Sequence, residues 1–227
     1  LNRGCFNRMR TGLPWVRVTL AASLDGRTAL ADGESRWITG EAARADVQYF
    51  RARSSAIMTG SATVLADDPA LTVRLPGAAR QPLRVVLDST LRVSAAAHVF
   101  DPPGQALVFT ASMDASRRAE LERRGVRVLS AARAGDGIAL EPLLRQLAQL
   151  QINELWVEAG ARLTGAVLQA LLADELIVYL APLLLGPTAR PLLQLPPLSR
   201  LGDALQLQFT ECTPIGADLR LTARPGG

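Results

Sequence analysis

Three stretches of this 227-residue sequence combine residue types that could bind or react. In Glu158-Ala159-Gly160-Ala161-Arg162-Leu163-Thr164-Gly165-Ala166, a strand-like run ends in a carboxylate and passes through glycine straight into a helical pattern. Glycine lets the backbone come close to a ligand, and a helix start offers N–H groups and a positive dipole end to an anion. In open α/β sheets ligands sit at the carboxyl ends of strands, where Glu158 stands. The spacing is not GxGxxG, and a tight βα turn with no ligand accounts for the same residues. The second stretch, Gly33-Glu34-Ser35-Arg36-Trp37-Ile38-Thr39, can lay an aromatic plane over a ligand ring, or its Trp can cap the core. The third pairs Arg51 with Arg74, just beyond Asp67-Asp68-Pro69-Ala70-Leu71-Thr72. Two guanidinium forks make a good receptor for a phosphate dianion, and they serve equally as solvated surface or as partners of a helix dipole. Asp67-Asp68 could hold a metal, although a helix end before proline is the commoner use. Ser89, after Asp88 at a strand end, can touch a nucleotide phosphate or only the backbone.

The residue inventory excludes much other chemistry. All 25 basic residues are Arg, so there is no Walker A lysine and no Schiff-base lysine. His98 is the only histidine, and Cys5 and Cys212 are the only cysteines. These cannot furnish a zinc site, an HExxH metalloprotease or an HxE…PCxxC deaminase, and no GxSxG elbow pairs with His98. All three read as packing residues. The net charge of +4 and the 4% aromatic content argue against a nucleic-acid surface. No apolar run is long enough to span a membrane, and the start Leu1-Asn2-Arg3, with no apolar core and small-residue cleavage site after it, is not expected to be a signal peptide. Two distant cysteines fit a reducing cytoplasm. The first residue is Leu1, so the chain is expected to be processed or excised from something longer.

Strand-like runs alternate with helical periodicity, which predicts an α/β fold. Strands are expected at Trp15 to Ala22, Ala56 to Thr59, Pro82 to Asp88 and Gln105 to Thr110, and again at Val126 to Leu129, Asn153 to Glu158 and Glu175 to Leu180. Asp25-Gly26 reads as a turn. Thr39 is the expected N-cap of a helix ending near Arg53, with Ala43, Val47 and Phe50 inward. Ser61 is the expected cap of a short helix that Asp68-Pro69 ends. Further helices are expected at Asp114 to Arg124, Leu140 to Gln151 and Leu163 to Leu172. The tail from Leu205 to Ala223 reads as a hairpin turning near Pro214-Ile215-Gly216, and Pro191 to Pro197 as a loop. The pattern predicts one domain over residues 13–227, with residues 1–12 as a leader.

Several ordered strings resemble one family: the C-terminal reductase domain of the bacterial riboflavin-biosynthesis deaminase/reductase. They are Arg8-Met9-Arg10-Thr11-Gly12, Leu20-Ala21-Ala22-Ser23-Leu24-Asp25-Gly26-Arg27-Thr28 and Gly33 to Thr39. Thr63-Val64-Leu65-Ala66-Asp67-Asp68-Pro69-Ala70-Leu71-Thr72-Val73-Arg74, Trp156-Val157-Glu158-Ala159-Gly160 and Asp174-Glu175-Leu176-Ile177-Val178-Tyr179 follow. The resemblance implies a dihydrofolate-reductase-like fold, with a mostly parallel mixed central sheet flanked by helices and a C-terminal hairpin. It also implies reduction by NADPH of the ribosyl group of 5-amino-6-(5-phosphoribosylamino)uracil to a ribityl chain, with hydride delivered to ribose C1′ after ring opening to an imine. Ala21, Trp37, Thr63, Asp67 and Ser89 would contact the cofactor. Gly160, Ala161, Arg162, Leu163, Thr164, Gly165 and Ala166 would cradle its pyrophosphate. Ser35, Arg51, Ala70, Leu71, Arg74 and Glu158 would line the substrate, with the arginines on its phosphate and Glu158 as the candidate proton donor. No metal is implied.

The resemblance further implies a homodimer and a zinc deaminase domain preceding this one, with residues 1–12 as the tail of the connector. This chain itself should reduce but not deaminate. Arg162 and Leu183 depart from the family pattern, which has often small and often basic residues there. Two other readings compete: a sister reductase acting on the undeaminated diaminopyrimidinone, and a non-catalytic nucleotide-binding or dimerisation module.

Overall fold

The computed structural model describes residues 2–226. In chain order the elements begin with α1 (Arg3–Thr11), β1 (Trp15–Ser23), β2 (Arg27–Ala29), α2 (Glu41–Arg53), β3 (Ala56–Gly60) and α3 (Ser61–Asp67). There follow β4 (Leu83–Leu87), β5 (Ala106–Thr110), α4 (Ala115–Arg123), β6 (Arg127–Ser130), β7 (Arg133–Ala134), β8 (Gly137–Ile138) and α5 (Leu140–Gln149). The chain closes with β9 (Glu154–Glu158), α6 (Ala161–Gln169), β10 (Glu175–Ala181), β11 (Arg190–Pro191), β12 (Leu207–Ile215) and β13 (Asp218–Pro225). These segments form two compact units, one of residues up to Trp15 with Phe50–Trp156, the other of Val16–Tyr49 with residues from Val157 onward.

In the first unit the strand order is β9-β3-β4-β5-β6. β3, β4, β5 and β6 are parallel, with Met58 beside Val85, Val86 beside Val108 and Phe109 beside Leu129. Parallel strands covered on both faces read as continuous apolar runs, and Ile57, Met58, Val85, Val86, Leu107, Val108 and Phe109 are all buried. The Trp156 ring stacks on Phe50 at 4.9 Å. Asp114 caps α4 by accepting from the Arg117 N–H at 3.0 Å, and Gly125 follows the helix at a φ of +78°. The leader is ordered as α1. Asn2 caps it by accepting from Cys5, and Arg8 Nε donates to Asn153 Oδ1 at 2.7 Å.

In the second unit the order is β12-β13-β10-β1. β1 and β10 are parallel, with Ala21 beside Tyr179, and β13 runs antiparallel to β10 and β12. Arg17 and Glu175 form a buried ion pair at 2.7 Å, and Arg224 adds a second bond to the same carboxylate at 3.0 Å. The start of α2 departs from expectation. Gly40 stands where Thr39 was expected as cap, because its carbonyl accepts from Arg44 and its own N–H donates to Asp218 Oδ2 at 2.7 Å. Likewise Gly60, not Ser61, precedes α3, and α6 begins at Ala161 because Gly160 caps it. The class observed is the expected one: α/β, mostly parallel, with helices and a C-terminal hairpin.

Candidate active site

The residues expected to bind ligands fall in both units. Arg51, Thr63, Asp67, Ala70, Leu71, Arg74 and Ser89 lie in the first; Ala21, Ser35, Trp37, Glu158 and Gly160 to Ala166 lie in the second.

In the first unit, Arg51 stands in the last turn of α2 and is buried, its Nη1 donating to the Thr72 carbonyl at 3.0 Å. This guanidinium therefore fixes the segment that carries Ala70, Leu71 and Arg74. Leu71 adopts a φ of +50° and is buried, while Arg74 is exposed. The Gln81 side chain clamps the same segment, accepting from the Val73 N–H at 2.8 Å and donating to its carbonyl at 3.0 Å. Thr63 and Asp67 are one helical turn apart on α3. Asp68 ends that helix in the left-handed region and holds His98, whose Nδ1 lies 2.6 Å from Asp68 Oδ2. His98 is thus a surface anchor for a loop rather than a packing residue.

At the carboxyl end of β4, Asp88 is buried and its Oδ2 accepts from the Val93 N–H at 2.8 Å. That bond shapes the turn from Asp88 to Val93. Ser89 Oγ donates to the Asp136 carbonyl at 3.3 Å, and Arg92 Nη2 donates to Ser61 Oγ at 3.0 Å. Ser61 follows β3 and Asp88 follows β4, so the turn brings an exposed cation to the end of two neighbouring strands.

In the second unit, Gly160 caps α6 with no side-chain bond, at extended dihedrals. Of the residues after it, Thr164 is buried and its Oγ1 donates to the Ala159 carbonyl at 3.2 Å. Gly165 packs on backbone: a Cβ there would lie 2.2 Å from the Gln194 carbonyl oxygen, and Gln194 N–H donates to the Ala161 carbonyl at 3.1 Å. Thr164 and Gly165 therefore brace the helix start, and Gly160, Arg162 and Ala166 are exposed. Glu158 ends β9, half-buried. Burial first, and then the hydrogen bond to Asp46, push the Tyr179 hydroxyl well above its ordinary range, with Glu158 a minor contributor. Tyr179 Oη donates to Asp46 Oδ2 at 2.7 Å, which also accepts from Arg220 Nη1 at 2.8 Å.

Trp37 is 68% exposed, an unusual placement for an indole. The Arg44 guanidinium lies over its ring at 4.5 Å, and Arg36 is 5.9 Å away. Ser35 closes a turn around it, its carbonyl accepting from Ile38. Arg44, Gln81 and Arg92 were not singled out in the sequence. Only Arg92 had a local signal, a cation shortly after a strand end.

The sequence matches the RibD C-terminal domain over residues 14–221. The riboflavin biosynthesis protein RibD of Escherichia coli is 48% identical over 97% of this chain and 62% of its own length. The 5-amino-6-(5-phosphoribosylamino)uracil reductase of Buchnera aphidicola is 35% identical over 86% of this chain and 99% of its own. Among solved structures, Acinetobacter baumannii RibD superposes with a TM-score of 0.90 at 40% identity, covering all of this chain and 62% of that one. Dihydrofolate reductase of Enterococcus faecalis, at 14% identity and a TM-score of 0.50 over 94% of this chain and 97% of its own, shares the fold. This chain thus spans about three-fifths of the RibD proteins it matches, and it belongs to the RibD C-terminal domain family.

Proposed function

We propose that this chain is a reductase that converts the ribosyl group of 5-amino-6-(5-phosphoribosylamino)uracil to a ribityl chain at the expense of NADPH. The observation that carries this reading is the near end-to-end correspondence with the Buchnera aphidicola reductase, a protein of this one domain. Residues of the second unit fit a dinucleotide. The start of α6 has no side-chain cap, so its N-terminal N–H groups suit a pyrophosphate, and the exposed Trp37 suits a planar ring. When bound, the dihydronicotinamide supplies the hydride.

The protein's part is positioning and proton supply. Arg51 and Arg74 hold the substrate phosphate, and Ser35, Ala70 and Leu71 line the sugar and base. Ring opening moves the glycosylamine N–H proton to the departing ring oxygen and leaves a C1′=N imine. Hydride addition at C1′ then gives the secondary amine, whose nitrogen takes the one further proton the reaction consumes. Glu158 is the carboxyl group assigned to this proton supply. Ala21, Thr63, Asp67 and Ser89 contact the cofactor. Arg92, an exposed cation just beyond the end of β4, suits a 2′-phosphate and would favour NADPH over NADH.

The same reading includes a cytoplasmic homodimer, and in the full-length protein a deaminase domain joined through residues 1–12. Support for the dimer comes from β12, a nine-residue edge strand that exposes Leu207 and Phe209. Among the described residues no helix is long and apolar enough to cross a membrane.

The test is NADPH oxidation by the purified chain, supplied separately with the deaminated and the undeaminated phosphoribosylamino-pyrimidine. Turnover with the deaminated compound alone is expected. Turnover with the other compound alone would move the chain to the sister reductase, and NADPH binding without turnover would make it a binding module.

A further inference from the structure

An indole left two-thirds in solvent needs something to hold it, and here that is a cation on a neighbouring helix. The Arg44 guanidinium carbon is 4.5 Å from the centroid of the Trp37 ring, well inside the range of a cation–π contact. The same guanidinium donates from Nη1 to the carbonyl of Thr39 at 2.6 Å, two residues beyond the indole. One side chain of α2 thus grips both the ring and the backbone that carries it. Behind the ring the chain is pinned as well. Leu30 N–H donates to the Glu34 carbonyl at 2.8 Å, and Gly33 lies where a Cβ would be 2.8 Å from Arg190 Nη2.

Burial of Trp37 in a core does not account for this arrangement, because the ring is largely exposed. Simple cover of α2 does not account for it either, since a Lys or a Gln would shield a helix without a planar fork lying over an aromatic face. With Arg44 over the ring at 4.5 Å and Arg36 at 5.9 Å the indole is still 68% exposed, so it offers a flat platform whose orientation is set before a ligand arrives, which lowers the ordering cost of binding.

We infer that Arg44 is a positioning residue for the cofactor: it fixes the Trp37 indole in the orientation that stacks on a planar ring of NADPH. This rests on the assignment of Trp37 to the cofactor made above. Arg44 touches neither the reacting atoms nor the substrate in this account; it acts through Trp37.

A double-mutant cycle on the intact chain tests it, using Trp37→Phe, Arg44→Ala and the pair, with NADPH affinity read by calorimetry and KM and kcat read in turnover. Arg44→Ala is expected to weaken NADPH about fivefold, the size of an exposed cation–π contact, with the KM for the pyrimidine substrate unchanged. The Phe ring is a weaker partner for the guanidinium, so adding Arg44→Ala to Trp37→Phe should weaken binding less than it does in the parent. The difference between the emission spectra of the parent and Trp37→Phe isolates Trp37, and this signal should shift to the red in Arg44→Ala. Arg44→Gln keeps a donor for Thr39 without the charge and Arg44→Lys keeps the charge without the fork, so both should fold and bind at intermediate strength. Full additivity of the two substitutions, or unchanged NADPH affinity in Arg44→Ala and Arg44→Gln while Trp37→Phe weakens it, would overturn the inference alone. Unchanged affinity in Trp37→Phe would overturn the assignment of Trp37 itself, and the inference with it.

Discussion

Arg51 reaches from the last turn of α2 to the carbonyl oxygen of Thr72, 3.0 Å from its Nη1. The contact sets this arginine apart from Arg74, which lies two residues beyond Thr72 and is exposed. Both are assigned to the substrate phosphate, and Arg51 also holds the segment that carries Arg74.

Truncation at either position should therefore weaken substrate binding. Loss of a charged hydrogen bond is worth about 1.5–3 kcal/mol, so Arg74→Ala should raise the KM for the phosphorylated substrate roughly 10- to 100-fold. Arg51→Ala should raise KM similarly and also lower the melting temperature, because the Thr72 carbonyl loses a donor. Kinetics and thermal melts of both variants check this, and unchanged KM in both would remove the phosphate assignment.

Glu158 offers a sharper distinction between chemistry and binding. Glu158→Gln keeps the shape and the hydrogen-bonding capacity of the side chain but has no proton to give. If Glu158 supplies the proton, kcat should fall by about 10²- to 10⁴-fold with KM little changed. A rise in KM with kcat preserved would make it an orienting group for the uracil or ribose.

The proposed preference for NADPH can be tested at the carboxyl edge of β3 and β4. Arg92 is held 3.0 Å from Ser61 Oγ by a turn that the buried Asp88 carboxylate organises. Arg92→Ala should raise the KM for NADPH by about tenfold or more, the worth of one charged contact, and leave the KM for NADH alone. Equal effects on the two cofactors would place Arg92 outside the 2′-phosphate contact.

Much of this framework is legible in the sequence, and the exceptions have physical causes. Runs such as Ala56-Ile57-Met58-Thr59 and Leu83-Arg84-Val85-Val86-Leu87 announce buried parallel strands because both faces need apolar side chains. The N-terminal boundary of α2 is not legible, since Gly40 is chosen by a carboxylate 178 residues away at Asp218. Helix α1 lies in the stretch expected only as a leader, although Asn2 and Gly12 bracket it as caps. The pairs that shape the candidate site, Arg51 with Thr72, Arg44 with Trp37 and Gln81 with Val73, join residues across turns whose geometry is tertiary. Motif resemblance found Arg51 and Trp37 without their partners.

Gly165 tests the brace behind the start of α6. A methyl group there would lie 2.2 Å from the Gln194 carbonyl oxygen, a backbone atom that no rotamer change can move aside. Gly165→Ala should therefore push the Gln194 segment off the helix and destabilise the protein by about 1–3 kcal/mol, the usual cost of overpacking. Denaturant midpoints compare the variant with the parent. An unchanged midpoint would show that the segment carrying Gln194 yields freely.

The turn after β1 should carry a distinct acid response. Asp25 lies near the surface, but Ser23 Oγ donates to its Oδ1 at 2.5 Å, and the N–H groups of Leu185 and Gly186 donate to its two oxygens at 3.1 and 2.8 Å. These bonds, that from Ser23 first, lower the carboxyl pKa from an ordinary 3.8 to about 2. For a depressed carboxylate the folded state binds the proton less readily than the unfolded state. The stabilisation is thus fully present above pH 3.8 and is lost as the pH falls toward 2. In Asp25→Asn that stabilisation is missing at every pH, so the variant should melt below the parent at pH 6, with the gap closing as the pH approaches 2. Thermal melts of both proteins across this range check it. A gap that stays constant down to pH 2 would mean that the bonds to Asp25 do not depend on its charge.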